Sequence, residues 1–199
     1  MTRKPLAAAF ALLIYACPTC SNGVNLLPNG DFATQAGVDG WYIPFSPAPM
    51  GWMFEWSGDD AQASVASGSL QLDPVPDNMV WVQSSCFRVS PGAAYAFGGE
   101  GRKTSGAAAT WLTCTVFTDS KCAGVSADWG STQLGAGSTW AVAFSASGIL
   151  QMTTHSVRCR LVADNSGNIS AATVQIDNLY FDSSDALFDN GFESPGGTP

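Results

Sequence analysis

The sequence predicts an all-β domain, and three observations carry that prediction. Apolar and polar residues alternate in one segment after another, which is the period of a half-buried strand. No stretch beyond the N-terminal region sustains a helical period. Clusters of Gly, Ser, Pro and Asp separate the alternating segments, as in the many short strands of a sandwich, jelly roll or barrel. The clearest segments span 69–73, 79–89, 110–117, 139–144, 157–162 and 173–181.

The chain has 199 residues, enough for one domain with short tails. Charged residues make up only 12%, while 21 Gly and a 46% apolar share leave Ser, Thr, Asn and Gln to build the polar surface. That composition excludes a disordered acidic chain, a coiled coil and a collagen-like fibre. A formal net charge of -8 argues against nucleic acid and anionic membrane surfaces, both of which need a basic face.

Residues 1–23 read as an export signal and its junction. Arg3 and Lys4 precede an apolar run over 6–16 that is too short to span a bilayer. Cleavage by an ordinary signal peptidase after Ala16 or Gly23 is the favoured reading. The alternative is a lipoprotein anchored at Cys17, although bulky Tyr15 departs from the lipobox pattern. The body is then 24–182, with a tail over 183–199.

Export makes disulfides expected. Of the six cysteines, Cys86, Cys114, Cys122 and Cys159 lie in the body. Cys114 and Cys122 flank a turn-like TDSK stretch, so the expected pairing is Cys114–Cys122, leaving Cys86–Cys159. Strand parity extends the argument. Val157, Cys159 and Leu161 share one face of their strand, and Arg158 and Arg160 the other. Val80, Val82 and Cys86 share a face, opposite Trp81, Gln83, Ser85 and Phe87. With both cysteines in the core, Trp81, Gln83, Arg158 and Arg160 point outward. An aromatic plate beside an amide and two guanidiniums suits a sugar. The competing reading makes Trp81 and Phe87 core and the arginines merely solvated.

Three segments in order resemble the carbohydrate-binding modules of the family 4/9/22 type. They are Asn25-Leu26-Leu27-Pro28-Asn29-Gly30-Asp31-Phe32, then Trp81-Val82-Gln83 with the turn Ser90-Pro91-Gly92-Ala93-Ala94-Tyr95, then Gln175-Ile176-Asp177-Asn178-Leu179-Tyr180. The resemblance spans 24–182. It implies a jelly-roll β-sandwich of two antiparallel sheets, a monomer, and a poly- or oligosaccharide partner. It also implies a structural calcium with Asp177 as a ligand, and Asp59 and Asp60 are further candidates because calcium favours clustered carboxylates. Ala33 departs from the pattern, because the family commonly has an acidic ligand at that position.

The aromatic inventory is heavy, with 7 Trp, 4 Tyr and 11 Phe. Its densest stretch holds Trp41, Tyr42, Phe45, Trp52, Phe54 and Trp56 among prolines. Trp41, Trp52 and Trp56 are therefore rim candidates for a sugar, set against the reading that any one of them plugs the core.

Catalysis has little support. His155 is the single histidine, no Gly-x-Ser-x-Gly elbow occurs, and Glu55 and Glu100 show no pairing in their spacing. The leading expectation is a secreted, non-catalytic carbohydrate-binding protein. A surface structural or adhesive sandwich without a sugar site comes second, and a small jelly-roll polysaccharide lyase or hydrolase third. The segment from Leu187 to Ser194 resembles short C-terminal endings of exported bacterial proteins.

Overall fold

A computed structural model describes residues 25–135, 137–144 and 148–183. The export signal, Cys17, Cys20 and the C-terminal motif lie outside those residues. Every regular element among the described residues is a strand, and the strands form two antiparallel sheets of six. The first sheet runs β1 (Trp41–Tyr42), β4 (Met79–Ser84), β11 (Ser156–Asp164), β7 (Ala109–Phe117) and β8 (Ser126–Leu134), with β5 (Phe87–Arg88) also on β11. The second runs β10 (Gly148–Ile149), β6 (Ala94–Ser105), β12 (Thr173–Ser183), β3 (Ser69–Leu72) and β2 (Phe54–Ser57), with β9 (Ala141–Phe144) on β6. This is the two-sheet jelly-roll sandwich that the family resemblance implied, one of the all-β architectures that the alternation allowed.

The core lies between the sheets. Val80, Val82, Leu112, Cys114, Cys159 and Leu161 enter it from the first sheet, and Leu70, Leu72, Phe97, Val174, Ile176 and Phe181 from the second. Each fully buried Leu or Phe contributes about 1.5–3 kcal/mol of transfer free energy. Because side chains alternate, each inward residue sends its neighbours outward. The core thereby fixes which residues of β4, β7 and β11 reach the outer face.

The opening segment is stapled to β12. The Asn25 side chain accepts N–H bonds from Leu27 and Phe181 at 3.0 Å each, and donates to the Leu179 carbonyl at 2.7 Å. Gly30 abuts the same strand, where a Cβ would stand 2.0 Å from the Leu179 carbonyl oxygen. Only glycine fits there.

The disulfides correct the expected pairing. The bonds are Cys86–Cys122 and Cys114–Cys159, not Cys114–Cys122 and Cys86–Cys159. Cys114 and Cys159 stand opposite each other on neighbouring strands, both fully buried, with Cα atoms 4.0 Å apart. From Cys114, β7 runs three more residues, at about 3.3 Å each, before the turn that holds Cys122 begins, so that turn lies too far along the strand for a local bridge. Cys86 lies past the end of β4 at Ser84, so parity counted from Val82 does not reach it. Phe87 is corrected for the same reason: it packs edge-on against core Phe181, with centroids 5.2 Å apart, rather than sharing the outer face with Trp81.

Candidate binding face

The outward residues of the first sheet form rows across its strands. One row runs Trp81, Val162, Trp111 and Gln133. The next runs Tyr42, Gln83, Arg160, Thr113 and Ser131. A third runs Arg158, Thr115 and Asp128. The four face residues expected from parity, Trp81, Gln83, Arg158 and Arg160, are thus brought together on one outer surface. Tyr42, Trp111, Thr113, Ser131 and Gln133 complete it and were not nominated from sequence. Their own parity was readable, but the neighbouring strand was not. The register that sets Trp111 beside Val162 is the one that aligns Cys114 with Cys159.

Polar groups on this face bond lightly to each other. The Gln83 amide donates to the Tyr42 hydroxyl at 2.8 Å, Thr113 to Ser131 at 3.1 Å, and Thr115 to Asp128 at 3.1 Å. The arginines are placed by aromatic rings. Arg160 lies over the Trp81 ring at 5.0 Å and Arg158 over Phe117 at 5.9 Å. The Nε atoms of both are buried without a hydrogen-bond partner, and neither guanidinium has an ion-pair partner among the described residues.

Aromatic residues divide into two roles. Phe45, Trp52 and Trp81 meet edge-to-face at 5.1–5.7 Å, forming a corner at one end of the rows. Trp111 is 39% exposed and Tyr42 37%, so both offer surface to a ligand. Trp41 is corrected from rim to core: it is 4% exposed and its indole N–H donates to the Pro28 carbonyl at 3.2 Å. Trp56 is likewise structural, packed on the core with its indole N–H on the Phe32 carbonyl at 2.9 Å. In both, an indole N–H inside the protein needs an internal acceptor, and an opening-segment carbonyl supplies it.

No known family model matches the chain, and neither does any curated protein. Solved structures do. A family 16 carbohydrate-binding module aligns with TM-score 0.53 at 15% identity, covering 79% of this chain and 99% of that one. A family 61 module in complex with β-1,4-galactotriose aligns with TM-score 0.50 at 12% identity, over 80% and 99%. The enzymatically active domain of a tailspike protein from bacteriophage CBA120 gives TM-score 0.58 at 13% identity, but this chain spans about a fifth of its length. The fold is that of the carbohydrate-binding modules. At these identities the likeness concerns the fold and not the ligand.

Within that module fold, the second sheet's outer face is closed upon itself. Gln175 donates to Ser57 at 2.9 Å, and to Asp59 and Gln71 at 3.1 Å each, while accepting from Arg102 Nε at 2.8 Å. Arg102 also pairs with Asp59 at 2.7 Å and lies over Trp140 at 4.8 Å. Glu55 accepts from Gln71 at 2.9 Å. Glu100 accepts from Gln62 and Asn178, and burial pushes its carboxyl above the ordinary value. His155 is exposed and takes part in the sheet through its backbone alone.

Asp177, on β12, is fully buried. Its oxygens accept the N–H groups of Ala61 at 2.9 Å and Asn178 at 2.6 Å. Burial first, then the charges of Asp60 and Glu100, push its pKa up to about 7. Asp60 is occupied by its own loop: Oδ1 accepts from the Gln62 and Ser64 amides, and Oδ2 from the Ser67 hydroxyl. These donors do not fit the expected calcium. Amide hydrogens already point at both carboxylates, Ala33 brings no oxygen from its side chain, and no three acidic, His or Cys side chains converge among the described residues.

Proposed function

We propose that this chain is a non-catalytic carbohydrate-binding domain acting outside the cytoplasm, and that a poly- or oligosaccharide lies across the outer face of the first sheet. One observation carries the reading. Exposed Trp111 and Tyr42 border Gln83, Arg160, Thr113 and Ser131, where Gln83 bonds Tyr42 and Thr113 bonds Ser131 but the Arg160 guanidinium has no ion-pair partner among the described residues. Sugar rings stack their C–H faces on aromatics, while their hydroxyls need such polar groups alongside. Two disulfides fit an oxidising compartment.

The structural or adhesive alternative draws on the Phe45–Trp52–Trp81 corner, whose rings are spent largely on one another. A glycan array with Trp111→Ala and Trp52→Ala separates the two readings. Binding is expected to fall about tenfold or more in Trp111→Ala at unchanged folding, and less in Trp52→Ala. Failure of the wild-type chain to retain any glycan would leave the structural reading ahead.

A further inference from the structure

We propose that the ligand of this face is an anionic polysaccharide, with carboxylate or sulfate groups on its sugar units. The inference rests on the sugar-binding reading above and adds the charge class of the sugar.

Basic residues are scarce in this chain. Apart from Arg3 and Lys4 there are six, set against 16 acids. Two of the six, Arg158 and Arg160, stand two residues apart on β11 and face the same way, with Cα atoms about 7 Å apart. No glutamate lies on this face among the described residues. Asp128 accepts from Thr115, and Asp164, beyond the Trp81–Trp111 row, is held by the Ser166 amide at 3.0 Å. The face therefore sets two arginines against two aspartates, a far more basic balance than the six to 16 of the chain.

Stacking explains how the guanidiniums wait for a partner. A guanidinium over a ring uses its flat face and leaves its N–H edge free. Both Nε atoms are buried and unbonded, so the Nη edges are the part of each guanidinium that an outside acceptor would meet. Arg102 on the opposite sheet shows the partnered alternative in the same fold, with a carboxylate, an amide and an indole around it. Neutral hydroxyls would accept from Arg158 and Arg160 but leave two like charges side by side. Oxyanions spaced along a sugar chain satisfy the donors and neutralise the charges together, in planar pairs where the group is a carboxylate.

Affinity electrophoresis of the mature chain tests this against polygalacturonate, its methyl ester, dextran sulfate and neutral dextran, at low and moderate salt. At least one anionic polymer is expected to bind tenfold or more above its neutral counterpart, and to weaken as salt rises. Polygalacturonate as the better ligand assigns a carboxylate, and dextran sulfate a sulfate. Arg158→Gln and Arg160→Gln are each expected to weaken that binding about tenfold at unchanged unfolding midpoint. Arg160→Lys keeps the charge without the planar fork and is expected to retain the preference for anions at lower affinity. Equal binding to polygalacturonate and its ester, or Arg→Gln variants that bind like wild type, overturns the anionic assignment and leaves the sugar-binding face standing. Absence of binding to these polymers and to the glycan array overturns both.

Discussion

The two outer faces of the sandwich are made from the same kinds of side chain and treat them in opposite ways. On the second sheet, Gln175 is buried and makes four side-chain hydrogen bonds, and Arg102 has a carboxylate at 2.7 Å. On the first, Gln83 makes one side-chain hydrogen bond, to Tyr42, and both arginines rest on rings with their Nε atoms unpaired. A satisfied network is a structural surface, since any ligand would have to displace bonds already made. The first sheet has no such network around its arginines, so a ligand meeting their Nη edges would displace few existing bonds. Twist and alternation are common to both sheets, so the difference lies in which side chains sit across from which.

Covalent cross-links show the same division, and removing them is expected to have the largest effect. Both disulfides tie elements of the first sheet, with sequence separations of 36 and 45, while the second sheet has no cross-link among the described residues. In the loop-entropy picture each bridge is worth about 4 kcal/mol. The double variant Cys114→Ala with Cys159→Ala is expected to lose about that much in urea unfolding. Hydrogen exchange should rise first in β7 and β11, with β6 and β12 still protected. Equal loss of protection in both sheets would show that the cross-link serves the whole core rather than the binding face.

Glutamine truncation sharpens the contrast at smaller scale. Gln175→Ala strips partners from Ser57, Asp59, Gln71 and Arg102 at a buried position, at an expected cost of about 2–3 kcal/mol. Gln83→Ala removes one bond on a half-exposed face and is expected to change stability by less than about 0.5 kcal/mol, while weakening sugar binding. Similar stability losses for the two would erase the distinction between a structural and a receptive face.

The sequence made the sandwich readable because alternation is a local signal, and β4, β7, β11 and β12 all show it cleanly. Parity within a strand was equally readable and put Trp81, Gln83, Arg158 and Arg160 on the outer side. Parity does not say which strand lies next door. Pairing β7 with β11 required knowing that Cys114 meets Cys159, and the short TDSK spacing pointed to the wrong partner. With that register missing, Trp111 could not be placed in the row of Trp81, nor Thr113 beside Arg160. Trp41 and Trp56 were misplaced because a Pro-rich aromatic run has no period to separate core from rim. What separates them is an indole N–H bonded to a carbonyl brought in from a distant segment, and that appears only in three dimensions.

Asp177 mirrors the arginine face with the sign reversed. Here carboxylates crowd instead of guanidiniums, and burial with the charges of Asp60 and Glu100 raises its pKa to about 7 from an ordinary 3.8. In the folded chain Asp177 therefore holds its proton to higher pH than in the unfolded chain. Between about 3.8 and 7 the folded state binds more protons, so its stability falls as pH rises through that window and levels off above it. The unfolding midpoint is expected to rise as pH is lowered from 8 to 5, with the dependence flattened in Asp177→Asn. Calcium or a chelator is expected to leave the midpoint at pH 8 unchanged, because Ala61 and Asn178 already supply the hydrogens that a cation would have to displace. A calcium-dependent rise at pH 8 that Asp177→Asn abolishes would show a metal in the proton's role. The crowded carboxylates would then resemble the arginine face, each held ready for an opposite charge from outside.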